Sequence, residues 1–410
     1  MQKVAVVGGG VIGLTIGLHL QQQGHQVTIF DKQGPAEGCS KGNAGHIATE
    51  QVFPLATPSL LLQIPSMLFS SQSPLSIRWR DVFSTLPWMI RFLFSARKRT
   101  YERSTKAISS LNQSAVGSWY RLLEPIHQQE LIKMDGSLLV FESDALFQAY
   151  QATLSSLEHC EVEYEVWDKK QLRKRLPKLG LQVRHGVFFP NTGHTLEPYE
   201  MCLAIEKAYS SLGGEFVQKG VEKITPNAEI QTAGTTLAFD NVVIAAGVHS
   251  GHFVESLTGI KVPIQAERGY HVMVDDHQDR LPIPVSSADR KFIMTPMKYG
   301  LRLAGTVEYA GSRAPFNDKR TRLLAEQGDI MLQDGIDKAM LGEEWMGCRP
   351  TISDSLPVID SICDGNILLA FGHQHLGLTH AAITAELMGQ MIEKQATSLN
   401  VAPFTLRRFS

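Results

Sequence analysis

Cysteine is scarce and badly placed for cross-linking. The 410-residue chain carries five, Cys39, Cys160, Cys202, Cys348 and Cys363, with no C-x-x-C pair. An odd, scattered set argues against a disulfide framework and against an iron–sulfur or zinc module, so reduced thiols are expected. An excess of either charge is missing as well. Lys and Arg number 39 against 41 Asp and Glu, a net charge of −2, which leaves no basic field for nucleic acid. Long apolar runs are absent too. The nearest, "FPLATPSLLLQIPSMLF" (53–69), is interrupted by Pro54, Pro58 and Pro65, so no spanning helix is expected. No secretory leader stands ahead of the first strand at Lys3, and a cytoplasmic protein is expected. There is no internal repeat and no low-complexity tract. What remains is ordinary globular composition, 43% apolar and 20% charged, over a length that suits two domains.

The most informative stretch is "KVAVVGGGVIGLTIGLHLQQQGHQVTIFDK" (3–32). Val4 to Val7 read as a strand buried on both faces. Gly8-x-Gly10-x-x-Gly13 follows at once. Ile12, Ile16 and Leu20 then recur at helical spacing, with Leu14 and Leu18 beside them. Gly24 ends that helix, Val27 to Phe30 form a second strand, and Asp31 sits at its tip. Gly8 allows a tight turn, Gly10 lets backbone approach a pyrophosphate, and Gly13 lets helix and strand pack closely. The helix N-terminus offers free N–H groups and a positive dipole end to the phosphates. Asp31 suits ribose hydroxyls and repels a 2′-phosphate, which disfavours NADP. An adenine dinucleotide is predicted, but the cradle alone leaves FAD and NAD open.

Three later stretches favour FAD. "CSKGNAGHIA" (39–48) is polar and glycine-rich where a nicotinamide dehydrogenase would run on into further βα units. "FDNVVIAAGVHSG" (239–251) is a buried strand ending in small residues, which let the chain pass close to a cofactor. "GNILLAFGHQHLGLTHAAITAELMGQMI" (365–392) reads as strand, glycine loop and helix. A helix N-terminus there can face the flavin N1–C2=O edge, which is negative in the reduced ring. His373, His375 and His380 crowd this loop but lack the cysteine or carboxylate company of a closed metal site, so no metal is expected.

"GGGVIG", "GNAG", "VVIAAG", "ERGYH" and "CRPTISDSLPVI" followed by "FGHQHLGLT" together resemble the D-amino-acid oxidase superfamily of flavoproteins. Among its members the similarity is greatest to bacterial D-amino acid dehydrogenases, the D-hydroxyproline type in particular, and it runs to about residue 395. The resemblance implies noncovalent FAD, an α/β Rossmann-like FAD-binding domain, and an α+β substrate domain on a mixed sheet. It implies an FAD-binding domain over 1–50, 195–256 and 340–410, and a substrate domain over 51–194 and 257–339. Flavin contacts are then expected at Gly8, Gly10, Val11, Ile12, Gly13, Asp31, Lys32, Ser40, Asn43, Ala44, Gly45, His46 and Ile47. Further contacts are expected at Val221, Ala246, Gly247, Gly372, His373, His375, Leu376, Gly377, Leu378 and Thr379. His380 is read as simply lying on the helix, and the backbone near Val217 or Gln218 as meeting the adenine.

An amino acid oxidised at Cα needs a cation for its carboxylate, preferably a planar fork. Arg349 resembles the arginine of the family's Arg-Pro motif, with a structural pairing to Asp354 as the alternative. In "IQAERGYHVMV" (264–274), Tyr270 and His271 are both candidates, but alternation along a strand turns one of them away from the pocket. Arg268 and Glu267 read as a local ion pair. His46 and Glu50 can reach the pocket above the flavin. No dedicated base is demanded, because a deprotonated amine can lose hydride to flavin N5 and leave as an imine. Cys348 invites the thought of a covalent flavin link, though noncovalent FAD is expected.

Residues 51–106 stand apart. They hold Leu60, Leu61, Leu62, Met67, Leu68, Phe69, Trp79, Trp88, Phe92 and Phe94 beside eight basic residues, against Asp81 and Glu102 alone. That mixture fits a surface helix in a lipid headgroup layer, and the resemblance points to a membrane quinone as acceptor. A helical cap with a solvated basic face is the alternative. The leading expectation is dehydrogenation of a D-amino acid of the D-proline or cis-4-hydroxy-D-proline kind. A glycine/sarcosine-type oxidase using O2, and a flavin-bearing assembly protein without turnover, are the alternatives. An aromatic-ring monooxygenase would need a Gly-Asp-Gly segment that is missing.

Overall fold

The computed structural model describes residues 1–57, 75–275, 278–311 and 314–410. Two sheets organise it. The first is six-stranded, in the spatial order Val358–Ile362, Ile367–Phe371, Asn241–Ile244, Lys3–Val7, Gln26–Asp31 and Glu215–Gln218. All neighbours are parallel except the edge strand Val358–Ile362. Val4 to Val7 and Asn241 to Ile244 are wholly buried, as expected for strands covered on both faces. Helices Val11–Gln22, Pro198–Ser211 and Gly377–Ile392 pack together against it.

The second sheet is nine-stranded and mixed. Its edge strand Leu341–Ile352 runs antiparallel to Ile264–Asp275, which in turn pairs with Gly300–Tyr309. The order continues through Phe292–Met297, Val285–Ser287, Ser137–Phe141 and His185–Phe189 to Glu165–Trp167. Helix Asp318–Met331 covers one face, where Leu324 and Met331 meet Tyr270, Val272 and Val274. The other face looks toward the first sheet. The mixed α/β architecture agrees with the sequence reading.

Two expected domain boundaries move. Residues 341–352 hydrogen-bond along Ile264–Asp275, so they belong to the substrate sheet and not to the nucleotide domain. Conversely, helix Lys98–Leu123, placed with the substrate domain, packs on Gly377–Ile392 through Ile108, Leu111 and Trp119. Trp119 Nε1 donates to the Leu378 carbonyl at 3.0 Å. An apolar stripe on a helix says that it is buried, not against which sheet.

In the basic segment, helix Val82–Ser95 turns Trp88 inward, its ring tilted against Tyr309 at 5.1 Å. Phe83, Leu86, Ile90, Leu93 and Phe94 remain exposed on its outer face. Leu60, Leu61, Leu62, Met67, Leu68 and Phe69 lie outside the described residues. Among the described residues, no helix is long and apolar enough to cross a membrane.

Candidate active site

The nucleotide cradle sits at the carboxyl ends of the parallel strands, where open α/β sheets hold their ligands. Gly8 has φ +117, and a Cβ there would lie 2.4 Å from the Ala245 carbonyl oxygen. A Cβ on Gly13 would lie 1.8 Å from the Gly8 carbonyl oxygen. Only glycine fits either place. Helix Val11–Gln22 has no side-chain cap at Gly10, and its first N–H, on Val11, donates to Ser40 Oγ at 2.9 Å. Ile12, half-buried, follows in the same first turn. Asp31 Oδ2 accepts from Gly9 N at 2.7 Å and Oδ1 from Gln33 N at 2.8 Å, so backbone fixes the carboxylate at its strand tip. Beside it Lys32 Nζ lies 3.3 Å from His249 Nε2.

The loop Ser40–Gly45 is held from both domains. Asn43 Oδ1 accepts from Gly45 N at 2.8 Å, and Gly45 takes φ +72. Arg302 donates to the Asn43 carbonyl at 2.6 Å while pairing with Glu197 at 3.3 Å. Burial pushes Arg302 below its ordinary value, an effect that Glu197 opposes. His46 and Ile47 form a short buried strand against Gly193–His194, with Ala44 leading in. Ala246 and Gly247 (φ +54) end strand Asn241–Ile244, and Val221 begins the nearby strand Val221–Ile224.

The third element is the turn before helix Gly377–Ile392, whose N-terminus also lacks a side-chain cap. Gly372 has φ +82 and Gln374 φ +53, so two residues out of regular geometry aim this loop. Leu376 and Leu378 are buried in the core, and Thr379 Oγ1 accepts from Ala48 N at 3.0 Å. His373 Nε2 meets Thr384 Oγ1 at 3.0 Å, so that nitrogen is taken up by the helix and any flavin contact falls to the rest of the residue. His380 Nε2 likewise meets Asn112 Oδ1 at 2.7 Å. His375 alone of the three reaches a cavity, one of about 210 Å³ bounded also by Glu50, Phe53, Leu139, Tyr150 and Ser286.

Arg349 stands at the other end. Its Nη1 donates to Glu267 Oε1 at 3.0 Å, and its guanidinium lies over Gly269, where a Cβ would come within 2.4 Å of Nη2. Glu267 also accepts from Thr351 Oγ1 at 3.0 Å and from the Tyr309 hydroxyl at 3.5 Å. The guanidinium is thus aimed by a buried carboxylate on the neighbouring strand. The pairing with Asp354 does not occur, because Asp354 pairs with Arg408 at 2.9 Å. Nor do Arg268 and Glu267 pair. They point to opposite faces, and Arg268 binds Glu308 at 2.9 Å.

Tyr270 also needs a correction. It lies on the face away from Arg349, 1% exposed, with its hydroxyl on Glu308 at 2.5 Å. His271 takes the site face. Its Nδ1 donates to the Gly42 carbonyl at 3.0 Å, its ring stacks on Trp345, and its Nε2 is buried without a partner among the described residues. Burial first, then Arg302, pushes its pKa down to about 3, so the imidazole is neutral and Nε2 is an acceptor. Burial holds His46 and His375 at about 4. Sequence reasoning missed Glu267 as the arginine's partner, and missed Trp345, Arg302 and Tyr150 entirely.

These residues fit a dinucleotide carrying an aromatic ring. Two uncapped helix N-termini converge with a glycine-only cradle. Buried polar atoms of His46, His271 and Gln374 lack partners among the described residues. The whole chain from residue 3 to 391 matches the family model described as FAD dependent oxidoreductase. The chain belongs to the DAO family of FAD-dependent oxidoreductases. The D-amino-acid oxidase of Bradyrhizobium diazoefficiens is 30% identical, covering 100% of this chain and 99% of that protein. The D-amino acid dehydrogenase of Sinorhizobium medicae is 27% identical, covering 99% and 100%. Glycine oxidase from Geobacillus kaustophilus shares the fold, with a TM-score of 0.76 at 20% identity over 99% of this chain and 98% of that one. FAD is therefore the cofactor, and it supplies the two-electron chemistry. In this DAO-family enzyme the protein's own tasks are to bind, aim and shield.

Two substitutions separate the faces of strand Ile264–Asp275. Gly269→Ala pushes the guanidinium aside, so KM for the substrate rises by about tenfold or more with flavin retained. Tyr270→Phe removes a buried bond to a carboxylate and costs about 2 kcal/mol of stability, with little change in KM. Thermal unfolding and steady-state kinetics on the same samples test both.

Proposed function

We propose that this DAO-family enzyme dehydrogenates a small D-amino acid of the D-proline or cis-4-hydroxy-D-proline kind, with FAD bound noncovalently and a quinone as acceptor. One observation carries the reading. Arg349, braced by Glu267, presents a fork close enough to His375 to bear on its charge, and His375 joins a small cavity of mixed apolar and polar walls to the flavin loop. A fork of this kind binds carboxylate by two parallel hydrogen bonds. A cavity of about 210 Å³ walled by Phe53, Leu138, Leu139 and Phe189 suits a small ring. A larger cavity of about 370 Å³ lies between helix Asp318–Met331 and the sheet. It includes no residue of the flavin loop, whereas the smaller one includes His375, which supports the smaller one as the substrate's place. The names of the two relatives support the D configuration. Cys348 faces Arg268, away from Arg349, which supports a noncovalent flavin.

The acceptor reading rests on helix Val82–Ser95. Phe83 is 86% and Phe94 54% exposed, and Arg80, Arg91, Arg97, Lys98 and Arg99 surround them. Such a face suits an anionic bilayer surface on the cytoplasmic side. Its buried Trp88 touches Tyr309, which donates to Glu267, so the face adjoins the substrate clamp.

Anaerobic addition of the D-amino acid is expected to bleach the flavin absorbance. Yellow colour that persists with every D- and L-proline derivative and with D-alanine sinks the proposal. Reoxidation in air within seconds would favour O2 over a quinone. Separately, wild-type protein is expected to sediment with phosphatidylglycerol vesicles and to be released by added salt, whereas Phe83→Glu with Ile90→Glu stays in the supernatant.

A further inference from the structure

Glu50 is a carboxylate in an unusual place. It lies in the wall of the smaller cavity, its side chain 10% exposed, and its Oε2 is buried without a hydrogen-bond partner among the described residues. Its Oε1 lies 3.8 Å from His46 Nε2, too far for a hydrogen bond, and that nitrogen is unpartnered too. The remaining walls are apolar apart from the polar side chains of Gln51, Ser137, Tyr150, Ser286 and His375, and none of these hydrogen-bonds to Oε2. A buried acceptor left unmatched is costly unless something else supplies the donor. The cavity is where a substrate side chain enters, so that donor comes with the substrate.

We infer that Glu50 is the specificity-determining residue of this cavity, accepting a hydrogen bond from a hydroxyl or ammonium group on the far end of the substrate side chain. The inference rests on the proposed reading of a D-amino acid held by Arg349, and deepens it. Glu50 selects D-amino acids that carry a donor on the γ carbon or beyond over purely aliphatic ones of the same shape. The physics is asymmetric. A site built to receive a donor rejects the analogue lacking it much more strongly than an apolar site rejects an added hydroxyl.

Three titratable groups face Glu50. His46 lies on its own segment, Tyr150 comes from helix Asp144–His159, and His375 comes from the flavin loop. Both imidazoles are held neutral by burial, at about 4, and Tyr150 is held neutral by burial and by Glu50 itself. Burial pushes the Glu50 carboxyl up to about 7. An ammonium-bearing substrate needs the charged form, whereas a hydroxyl can pair with either form.

The test uses matched pairs on the holoenzyme with a dye acceptor. These are cis-4-hydroxy-D-proline against D-proline, and D-lysine against D-norleucine. In the wild type, at least one pair is expected to favour the donor-bearing member by about tenfold or more in kcat/KM. If it is the lysine pair, its ratio climbs as pH rises through about 7. In Glu50→Gln the favoured ratio falls by about tenfold or more, and the pH dependence of the lysine ratio disappears. The wild-type ratios need no variant to fold. Ratios within about threefold of unity for both pairs at every pH overturn the inference. So does a Glu50→Gln enzyme in which both members of a pair fall equally, since that assigns Glu50 to a feature they share, such as the α-amine. If no member of either pair bleaches the flavin, it is the proposed function that fails.

Discussion

Arg349→Lys is expected to lower kcat/KM by about 30- to 100-fold while the flavin spectrum survives. Lysine keeps the charge but offers a point donor instead of a fork, so one of two parallel bonds to the carboxylate is lost. Removing a buried, charge-assisted partner costs about 2–5 kcal/mol, and the milder end applies because the cation remains. Lysine is more informative than methionine here. Glu267 is 6% exposed on its side chain and answers to Arg349. Deleting the cation would leave that carboxylate with only Thr351 and Tyr309, and misfolding would cloud the kinetics. The loss should appear mostly in KM, with a parallel loss of affinity for simple carboxylate inhibitors. An enzyme that keeps its KM after the change would move the carboxylate site elsewhere.

Gly13→Ala should give colourless protein, or none that folds. The added methyl would sit 1.8 Å from the Gly8 carbonyl oxygen. That carbonyl cannot retreat, because Gly8 N donates to the Phe30 carbonyl at 2.8 Å and Gly8 itself abuts Ala245. The helix must therefore lift off the strand, and the phosphate-binding N–H groups move with it. Overpacking of this kind costs about 1–3 kcal/mol or more. Gly10→Ala is the useful contrast. Its methyl meets only Ser40 Oγ, at 3.2 Å, a small side chain that can give way by a few tenths of an ångström at some cost to its bond from Val11 N. That variant should fold yet hold FAD more weakly, because the methyl occupies the pyrophosphate's approach. Absorbance per protein after gel filtration, read beside thermal unfolding, separates the two outcomes. Full colour in Gly13→Ala would be fatal to the cradle as described.

The cradle was legible because every part of it is local. Strand, glycines, helix, second strand and acid lie within residues 3–32, and each residue type answers to a nearby steric or electrostatic need. Arg349 was legible through its motif, but its partner was not. Glu267 is 82 residues away, and only strand register brings the two together. The same limit explains Tyr270. Alternation shows that Tyr270 and His271 face opposite ways, yet only the packing of Asp318–Met331 decides which way. A bulge opposite Gly269 and Tyr270 leaves Thr306 as the extra residue, at φ +52, and nothing in the local sequence announces it. His373 and His375, expected to act alike, take different surroundings for a related reason, since the left-handed Gln374 between them breaks the local periodicity. Glu50 was visible as a candidate. What sequence could not give was its isolation, which is a property of the walls around it.

The order of strands in the six-stranded sheet sets a schedule for the newborn polypeptide. Lys3–Val7 leaves the ribosome well before its partner Asn241–Ile244, which arrives more than two hundred residues later, with Ile367–Phe371 later still. Helix Val11–Gln22 waits even longer for its neighbour, since Thr15 Oγ1 donates to the Ala381 carbonyl. Throughout translation the earliest segment keeps an open apolar edge, the situation in which chains associate wrongly. Loading of the coenzyme consequently waits for Gly377–Ile392, and truncations inside that helix should yield aggregates, not a smaller working enzyme.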